Sequence, residues 1–296
     1  MISVIIPTYN SAKTLRKTIE SVLRQSYTNY EIIVIDNNST DNTVQIINSL
    51  DIKNLKLLKI ENDGVIAKSR NLGIYQSSGE YIAFLDSDDS WTSEKLAESI
   101  KVLEAGYDVV YHDLLSISPR KVVESRELTK GLEFEDLLMN GNALTNSSVV
   151  VKKEHLKQVG YLSEDIRLAG NEDFDLWLRL ASNGTSFKRI DRTLGYYTIH
   201  EHNFSNSKNA LSNLKRFKRK YHDSIKTHCG EVLPIWLMYK YSRLNAQNGN
   251  YKISYIYGCK VLKYSNEPRV KIKSLITVFM CFLQISKRSV IQIINA

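Results

Sequence analysis

Three carboxylates that follow one apolar segment are the residues of this sequence best suited to chemistry. The segment Tyr81–Leu85 ends directly at Asp86, Asp88 and Asp89. Its length and composition are typical of a buried strand, and α/β proteins bind ligands where such strands end. Carboxylates gathered at one point repel one another unless a counter-charge is present. A divalent cation supplies that charge, and hard oxygen ligands favour Mg²⁺ or Mn²⁺.

The same carboxylates have a simpler interpretation. Turns rich in Asp are common, and this one would serve equally well to cap a helix that begins near Ser93. The local sequence does not separate a metal site from a polar turn, so the choice depends on the rest of the chain.

A second group of acidic residues lies at the start of a predicted helix, Glu172–Ala181. Asp175 stands one turn before Arg179, and this i, i+4 ion pair is a sufficient structural reason for Asp175. Asp173 instead shares its helix face with apolar residues, and we expect it to point inward. Those residues are Leu176, Trp177, which is expected in the core, and Leu180. The alternative explanation for Asp173 is the helix dipole, which favours acidic residues at an N-terminus.

The elements that would position these residues alternate between strand and helix. Apolar, β-branched runs predict buried strands, and apolar residues at helical spacing predict helices between them. The predicted strands are Ile2–Ile6, Ile32–Ile35, Leu55–Ile60 and Tyr81–Leu85, with a helix after each. This alternation predicts an α/β fold with a mostly parallel, Rossmann-like sheet and helices on both faces.

Polar residues collect where these predicted strands end. Tyr9 follows the first strand, Asp36 and Asn37 end the second, and the Asp86 group follows the fourth. Because parallel strands end at the same edge of a sheet, we expect one continuous site there.

Two further expectations concern the same region. Ser39 or Thr40 is expected to cap the helix that follows the second strand. His112 and Asp113 end a later strand and are candidates for the acceptor side of the same edge.

The pattern changes beyond Val109. A strand is predicted at Ser147–Val151, two more at Thr185–Ile190 and Leu194–Ile199, and helices from Ser207 to the end of the chain. We therefore expect a catalytic domain at residues 1–206 and a basic helical region at residues 207–296.

Six motifs together resemble glycosyltransferase family 2. They are Val4–Asn10, Val34–Thr43, Arg70–Gly73, Gly79–Asp89, Asn171–Arg179 and the segment around His200. Each motif is weak alone, but their order along the chain is that of the family. The resemblance covers about two-thirds of the chain, and it implies an inverting enzyme with the A-type nucleotide-diphospho-sugar fold.

The resemblance also implies roles for the residues at the strand ends. Asp86-Ser87-Asp88 resembles the family's Asp-x-Asp element, in which Asp88 would bind the metal and Asp86 the ribose or the metal shell. Pro7, Tyr9, Asp36 and Asn37 would contact the nucleotide. Many relatives carry Asp where this chain has Asn37, so the identity of the base stays open.

Three more roles are implied in the same way. Arg70 would offer its fork of donors to the phosphates or the base, and its alternative is an exposed helix charge. His200 would reach the metal or the diphosphate, although a polar loop histidine is an equally good explanation. Asp173 stands at the position of the catalytic base, which takes the proton of the acceptor hydroxyl.

Composition limits the class and location of the protein. The chain has 296 residues, 43% of them hydrophobic and 24% charged, and its three cysteines form no close pair. These values are ordinary for a globular protein, and free thiols indicate a reducing compartment. A strand is predicted from residue 2, so no leader is expected and a cytoplasmic location follows.

The positive charge is concentrated at the C-terminal end. Residues 208–296 contain 17 Lys or Arg and three acidic residues, a net charge of +14, which leaves −6 for residues 1–207. The apolar run Leu275–Ile285 is shorter than the ~20 residues of a spanning helix, and lysines and an arginine flank it. We expect either a helix lying on an anionic membrane surface or a helical subdomain, and the sequence does not choose between them.

The predicted function is sugar transfer from a nucleotide sugar, UDP-linked by expectation, to a lipid-linked saccharide in surface-polysaccharide assembly, with Mn²⁺ or Mg²⁺. A nucleotidyltransferase is the main alternative, but Pro7–Ser11 lacks the glycines of a phosphate loop. A haloacid-type phosphatase carries its Asp-x-Asp after the first strand. A basic nucleic-acid binder built on the C-terminal region is a further alternative, and it predicts salt-sensitive DNA or RNA binding that survives loss of Asp88. A membrane or scaffold role without catalysis would leave Asp173 and the Asp86 group unexplained, and no nucleic-acid partner is expected.

Overall fold

The computed structural model describes residues 1–117, 120–198 and 209–294, with side chains throughout except at 120–121 and 285–294. The chain forms two compact units. One comprises Met1–Leu137 and Asn142–Asn203, and the other comprises Leu138–Gly141 and Phe204–Ala296. The predicted boundary between residues 206 and 207 lies outside the described residues, so the division into a catalytic and a basic region stays a prediction.

The first unit is built on one sheet. Its strands are β1 (Ile2–Thr8), β2 (Tyr30–Asp36), β3 (Leu55–Lys59), β4 (Tyr81–Phe84), β5 (Ser90–Trp91), β6 (Val109–Ile117), β7 (Arg120–Val123), β8 (Val150–Lys152) and β9 (Phe187–Tyr197). The helices among them are α1 (Leu15–Leu23), α2 (Thr43–Asn48), α3 (Ile66–Tyr75), α4 (Lys95–Glu104), α5 (Glu133–Asn140), α6 (Lys153–Gln158) and α7 (Glu172–Ser182).

The strand order is β3-β2-β1-β4-β8-β6-β9-β5, and β7 pairs with β6. Neighbours among β3, β2, β1 and β4 are all parallel, as the alternating sequence predicts. Beyond β4 the sheet is mixed, because β8 enters antiparallel to both β4 and β6. The predicted α/β fold is confirmed, and a second parallel pair, β6 with β9, lies beyond the antiparallel β8.

Helices cover both faces of the parallel strands. Val4 and Ile6 belong to one apolar cluster with Ile19 of α1 and Leu96 of α4. Ile5, which alternates with them, faces α3 instead. There the helix lies so close that a Cβ added at Gly73 would stand 2.7 Å from a methyl of Ile5. Strand alternation thus divides the core between the two layers of helices.

Two local predictions are wrong. The strands expected at Thr185–Ile190 and Leu194–Ile199 are one strand, β9, whose pairing with β6 is irregular between His112 and Leu114; Ile199 itself lies outside the described residues. A bulge explains the error, because it interrupts the period-two pattern without ending the strand.

The predicted cap of α2 is also wrong. This helix begins at Thr43 with no side-chain cap. The Ser39 hydroxyl donates to Asp36, and the Thr40 amide donates to the Asn10 side chain at 2.8 Å. Because Ser39 is bound to Asp36 and Thr40 to Asn10, both residues stabilise the loop before the helix and do not cap it.

The second unit is helical, as predicted. Its helices are α8 (Ala210–Lys220), α9 (His222–Cys229), α10 (Ile235–Gln247), α11 (Tyr251–Tyr264) and α12 (Pro268–Ile294). Small residues join the last three, since Ser242 donates to the Ser254 carbonyl at 2.8 Å and Ser274 donates to the Gly258 carbonyl at 3.1 Å. Within the described residues, no helix combines the length and apolarity needed to cross a bilayer.

Candidate active site

A cleft of about 620 Å³ lies at the C-terminal ends of β1, β2 and β4. This is the edge at which the sequence places its polar residues. Residues that follow the three strands line the cleft, among them Pro7, Tyr9, Asn37, Asp86 and Asp88. Five of the predicted site residues are therefore brought to one cavity.

Helix α1 and the loop after β1 hold the carboxylate loop in place. The Thr18 hydroxyl of α1 lies 3.0 Å from the Ser87 carbonyl and 2.7 Å from the Asp89 carbonyl. The Ser11 and Ser87 hydroxyls are 2.8 Å apart, and the Ser147 hydroxyl accepts from the Asp86 amide at 3.1 Å. Backbone and side chains together fix the direction in which Asp86 and Asp88 point.

Burial of one of the three carboxylates relieves part of the repulsion among them. Asp89 is buried, with 2% of its surface exposed, and accepts from the Thr198 amide. Burial raises the pKa of Asp89 well above its usual range, and the carboxylates of Asp86 and Asp88 raise it further. Burial thus disfavours the charged form of Asp89, and only Asp86 and Asp88 of the three line the cleft.

Arg70 pairs with Asp86 and does not line the cleft. Its guanidinium donates to Asp86 Oδ1 at 2.8 Å and to Glu172 Oε1 at 2.9 Å, and the side chain is only 4% exposed. Burial opposes its charge, but the carboxylates of Asp86 and Glu172 outweigh burial and raise the pKa of Arg70. The fork predicted for phosphates or the base is engaged by these two carboxylates, and the exposed-charge alternative is wrong.

Helix α7 joins this network through its first residue. Glu172 receives Arg70 on Oε1 and the Gly170 amide on Oε2 at 2.6 Å. Asp173, the next residue, is half-buried and accepts from the Phe174 amide at 2.7 Å. Asp173 does not line the donor cleft but is connected to Asp86 through Glu172 and Arg70.

The predicted orientation of α7 is wrong. Glu172 and Asp175 are more buried than Asp173, although Asp173 was expected to be the inward carboxylate. The reason is that each buried carboxylate has an arginine partner: Glu172 binds the buried Arg70, and Asp175 binds the partly exposed Arg179 at 2.9 Å, as predicted. Trp177 is fully buried against Phe84, which confirms it as a core residue.

Asp36 and Asn37 differ in their access to the cleft. Asp36 is 1% exposed and accepts from both the amide and the hydroxyl of Ser39, so its carboxylate organises the loop. Asn37 lines the cleft, and its side-chain oxygen accepts from the Asn62 amide at 2.9 Å. Asn37 therefore lines the cleft, and Asp36 does not.

Several cleft residues were not singled out in the sequence. Lys13 is the one cation among the described residues that line the cleft, and Asn62 and Ser69 form its far wall. Lys13 belongs to the loop that follows Asn10, which has a φ of 48° and also lines the cleft. The sequence did offer a signal for Lys13, because this lysine stands just after the first motif, Val4–Asn10.

Tyr197 at the end of β9 was also missed. Burial raises the pKa of Tyr197 to about 12, and the nearby carboxylates of Asp89, Asp86, Asp88 and Asp173 act in the same direction. Its phenol therefore stays protonated in a region of negative charge.

His112 and Asp113 are not acceptor-side residues. His112 is fully buried, and its ring donates from Nδ1 to the Asp113 carbonyl at 2.8 Å. Burial, and to a smaller extent the nearby Lys95, together lower the pKa of His112 to about 3. Asp113 binds Arg189 at 2.7 Å. Both residues stabilise the interior and take no part in the cleft.

The carboxylates of the cleft suit a hard cation. Among the described residues there is no cluster of three His, Cys, Asp or Glu side chains arranged for a metal. Asp86 and Asp88 nevertheless face the same cavity, and Mg²⁺ in nucleotide sites typically takes one or two carboxylates together with phosphate oxygens. The two residues fit a metal that the nucleotide helps to bind. His200, the third predicted ligand, lies outside the described residues.

Known proteins resemble this chain in sequence. The family model "Glycosyl transferase family 2" matches residues 3–149. The chain is 31% identical over 210 residues to UDP-Glc:alpha-D-GlcNAc-diphosphoundecaprenol beta-1,3-glucosyltransferase WfaP of Escherichia coli, covering 70% of this chain and 81% of the relative.

Two solved structures show the same fold. S. aureus TarS 1-349 in complex with UDP-GlcNAc superposes with a TM-score of 0.63 at 21% identity, over 97% of this chain and 91% of that one. The mannosyltransferase PcManGT from Pyrobaculum calidifontis, in complex with GDP-Man and Mn2+, gives a TM-score of 0.59 at 16% identity, over 97% and 86%.

Proposed function

The chain belongs to glycosyl transferase family 2, and from that premise we propose that it transfers a sugar from UDP to a hydroxyl of a lipid-linked saccharide with inversion. Its fold is that of the A-type glycosyltransferases, as the resemblance implies. Membership separates the chain from the nucleotidyltransferases and phosphatases that share an α/β sheet and paired carboxylates.

One observation carries the proposal. Asp86 and Asp88 line a cleft of about 620 Å³ together with Asn37 and Lys13. The cleft thus offers carboxylates for a metal, an amide for the edge of a base and an ammonium group for a phosphate. A nucleoside diphosphate has all three complementary groups.

Metal dependence is part of the proposal. Asp88 would bind a Mn²⁺ or Mg²⁺ ion, with Asp86, held by Arg70, as a second protein ligand and His200 as the proposed third. The ion, when bound, stabilises the negative charge of the departing diphosphate. Mn²⁺ accompanies GDP-Man in the PcManGT structure, which supports an ion at this place.

Asp173 is our candidate for the general base. It takes the proton from the acceptor hydroxyl, whose oxygen attacks the anomeric carbon as the bond to the diphosphate breaks. Glu172, Arg70 and Asp86 link the start of α7 to the donor cleft, and this linkage keeps Asp173 at a fixed distance from the donor. Asp175 and Glu172 are less suited to the role, because arginines already neutralise both.

The substrates are inferred from relatives. WfaP is named for a UDP-Glc donor and a GlcNAc-diphosphoundecaprenol acceptor, and TarS binds UDP-GlcNAc. We propose a UDP-hexose or UDP-N-acetylhexosamine donor and an acceptor of that lipid-linked kind, used in surface-polysaccharide assembly. An acceptor with a polyprenyl tail would keep the enzyme at the inner face of the cell membrane.

The decisive experiment measures transfer from a panel of UDP sugars to a synthetic lipid-diphosphate GlcNAc, with Mn²⁺ or with chelator. We expect one donor to turn over only with metal and the product anomer to be opposite to the donor's. Asp173→Asn should lower kcat by about 10²–10⁴, the usual contribution of a general base, while donor affinity stays within about twofold.

Two variants complete the design. Asp88→Asn should lose metal-dependent binding of UDP, which distinguishes a donor defect from a base defect. Glu164→Gln serves as the matched control, because Glu164 accepts from Asn71 away from the cleft. Retention of the anomeric configuration, or full activity of Asp173→Asn, would contradict the proposal.

A further inference from the structure

The last described helix exposes an unusual number of apolar side chains. On α12, Phe279 and Ile272 are each 60% exposed, and other large apolar residues along the same stretch are 47–59% exposed. We define the α12 apolar face as Ile272, Leu275, Ile276, Phe279, Met280, Phe282 and Leu283. These residues are not scattered, since they follow one another along three turns of one helix.

The opposite side of α12 packs inside the helical unit. Ser274 donates to the Gly258 carbonyl of α11, and Cys281 lies 3.2 Å from the Ser254 hydroxyl. Val278 fits against Gly258, where an added Cβ would stand 2.5 Å from its methyl group. The helix therefore makes its intramolecular contacts through a narrow row of small residues, and its bulky residues point elsewhere.

Geometry shows that the exposed residues form one surface. At 100° per residue, the seven side chains fall within an arc of roughly 160°, and the packed row lies opposite. At roughly 100 Å² each they amount to about 700 Å², more than the ~300–600 Å² of the largest apolar patch on a typical monomer. A patch of this size marks a docking surface.

The charge around the face indicates what docks there. Residues 251–284 contain six Lys or Arg and a single acidic residue, Glu267. Lys271 and Lys273 belong to α12 itself, one on each side of the apolar arc. Apolar residues bordered by cations match the interface of an anionic bilayer, where acyl chains lie beneath negatively charged headgroups.

The dimensions favour a helix that lies on the membrane over one that crosses it. From Ile272 to Leu283 the exposed stretch is about 18 Å long, well short of the ~30 Å of a hydrocarbon core. No described helix meets the requirement for crossing. A helix lying flat would instead place one face in the acyl boundary along its whole length.

We propose that the α12 apolar face docks on the surface of an anionic lipid bilayer, with Phe279 at its centre and Lys271 and Lys273 at the headgroups. Docking there would bring the enzyme to a lipid-linked acceptor. The choice of a cell membrane rests on the proposed function. The docking needs neither donor nor acceptor, so it is testable apart from catalysis.

The test is sedimentation of the full chain with vesicles of phosphatidylglycerol and phosphatidylcholine, compared with vesicles of phosphatidylcholine alone. The wild type should bind the anionic vesicles, and Ile276→Ser/Phe279→Ser/Leu283→Ser should reduce the partition coefficient by about tenfold or more. Lys271→Gln/Lys273→Gln should weaken binding to anionic vesicles only, and high salt should do the same.

A matched control removes equal exposed apolar surface from the other unit. Val122→Ser/Leu132→Ser/Ile166→Ser replaces three residues that are 45%, 53% and 50% exposed, and it should leave binding within about twofold of the wild type. Circular dichroism melts establish that all variants fold, as exposed substitutions should allow.

Two results would overturn the inference. One is equal binding by the wild type and the α12 triple variant. The other is a wild type that binds no vesicles but forms a stable dimer in light scattering that the triple variant abolishes, in which case the face joins two copies of the chain. Vesicles lack the saccharide acceptor, so neither result bears on sugar transfer.

Discussion

At the scale of single residues, Arg70 decides how the site is arranged. One guanidinium binds Asp86 of the cleft and Glu172 at the start of α7, although these two carboxylates are 86 residues apart in sequence. Asp86 and Glu172 both depend on Arg70 for a counter-charge. Arg70 and Glu172 are buried, so solvent does little to screen that pair. An arginine is required, since its fork reaches two carboxylates at once and the point charge of lysine does not.

Replacing Arg70 should therefore damage both stability and activity. In Arg70→Met the buried Glu172 loses its partner, and we expect the free energy of unfolding to fall by about 3–5 kcal/mol, measured by urea denaturation. Adding Glu172→Gln should recover part of the stability, because the unpaired charge is removed. Donor turnover should stay low in the double variant, since Asp86 remains unsupported; full recovery of turnover would contradict this positioning role.

The buried His112 predicts a pH dependence of stability. Burial lowers its pKa to about 3 in the folded protein, from 6.5. The unfolded chain therefore binds the proton more readily, and stability is fully present above pH 6.5 and lost as the pH falls toward 3. This residue alone should lower the free energy of unfolding by about 1.4 kcal/mol at pH 5.5 relative to pH 7.5.

The measurement compares unfolding at several pH values between pH 4.5 and 7.5. His112→Gln should lose this part of the acid sensitivity, whereas His222→Gln, at an exposed position, should keep it. An unchanged slope in His112→Gln would show that His112 is protonated in the folded state as readily as in the unfolded one.

At the scale of elements, the site depends on how closely helices approach the sheet. Helix α3 carries Arg70 and Asn71 and packs on β1 and β2 at Gly73, where there is no room for a side chain. Helix α1 holds the carboxylate loop through Thr18. The two helices thus fix the cleft from opposite faces of the sheet.

Gly73→Ala should destabilise the fold by about 1–3 kcal/mol, the usual cost of overpacking. The new Cβ would stand 2.7 Å from Ile5 and 2.8 Å from the Cδ1 of Ile35, and both side chains are fully buried. The double variant Gly73→Ala/Ile35→Val lacks that Cδ1. Its loss of unfolding free energy should be smaller than the sum of the losses in the two single variants. If the two losses measured by thermal unfolding simply add, the strain does not arise from the contact with the Cδ1 of Ile35.

At the scale of the whole molecule, charge and chemistry are divided along the chain. The cleft and all described carboxylates of the site belong to the first unit, while the α12 apolar face and the net positive charge belong to the second. Ligands should therefore act on one unit at a time.

Calorimetry tests this division. UDP with Mn²⁺ at 100 times its Kd should stabilise the first unit by about 2.7 kcal/mol. If the units unfold in separate transitions, only one transition should shift, and chelator or Asp88→Asn should cancel the shift. The α12 triple variant should respond to UDP as the wild type does; a lost response would mean that the two units are thermodynamically coupled.

The sequence by itself determined the local features of this protein. Alternation of apolar strands and helices predicts β1 to β4 and α1 to α4, because side-chain periodicity encodes secondary structure over a few residues. The carboxylate loop after β4 and the polar ends of β1 and β2 are equally local, so the cleft and its lining by Asp86, Asp88 and Asn37 were predictable. The A-type fold follows from the order of the motifs.

Only the tertiary structure decided which of these polar residues face the cleft. Asp36 and Asp173 were expected in or beside the site, yet Asp36 is turned to Ser39, and Asp173 is not among the residues that line the cleft. Asp89 is buried beside Asp86 and Asp88, and burial raises its pKa. For Asp89 and Glu172 the physical reason is that burial and pairing depend on partners about one hundred residues away, Thr198 and Arg70, and no local pattern specifies them.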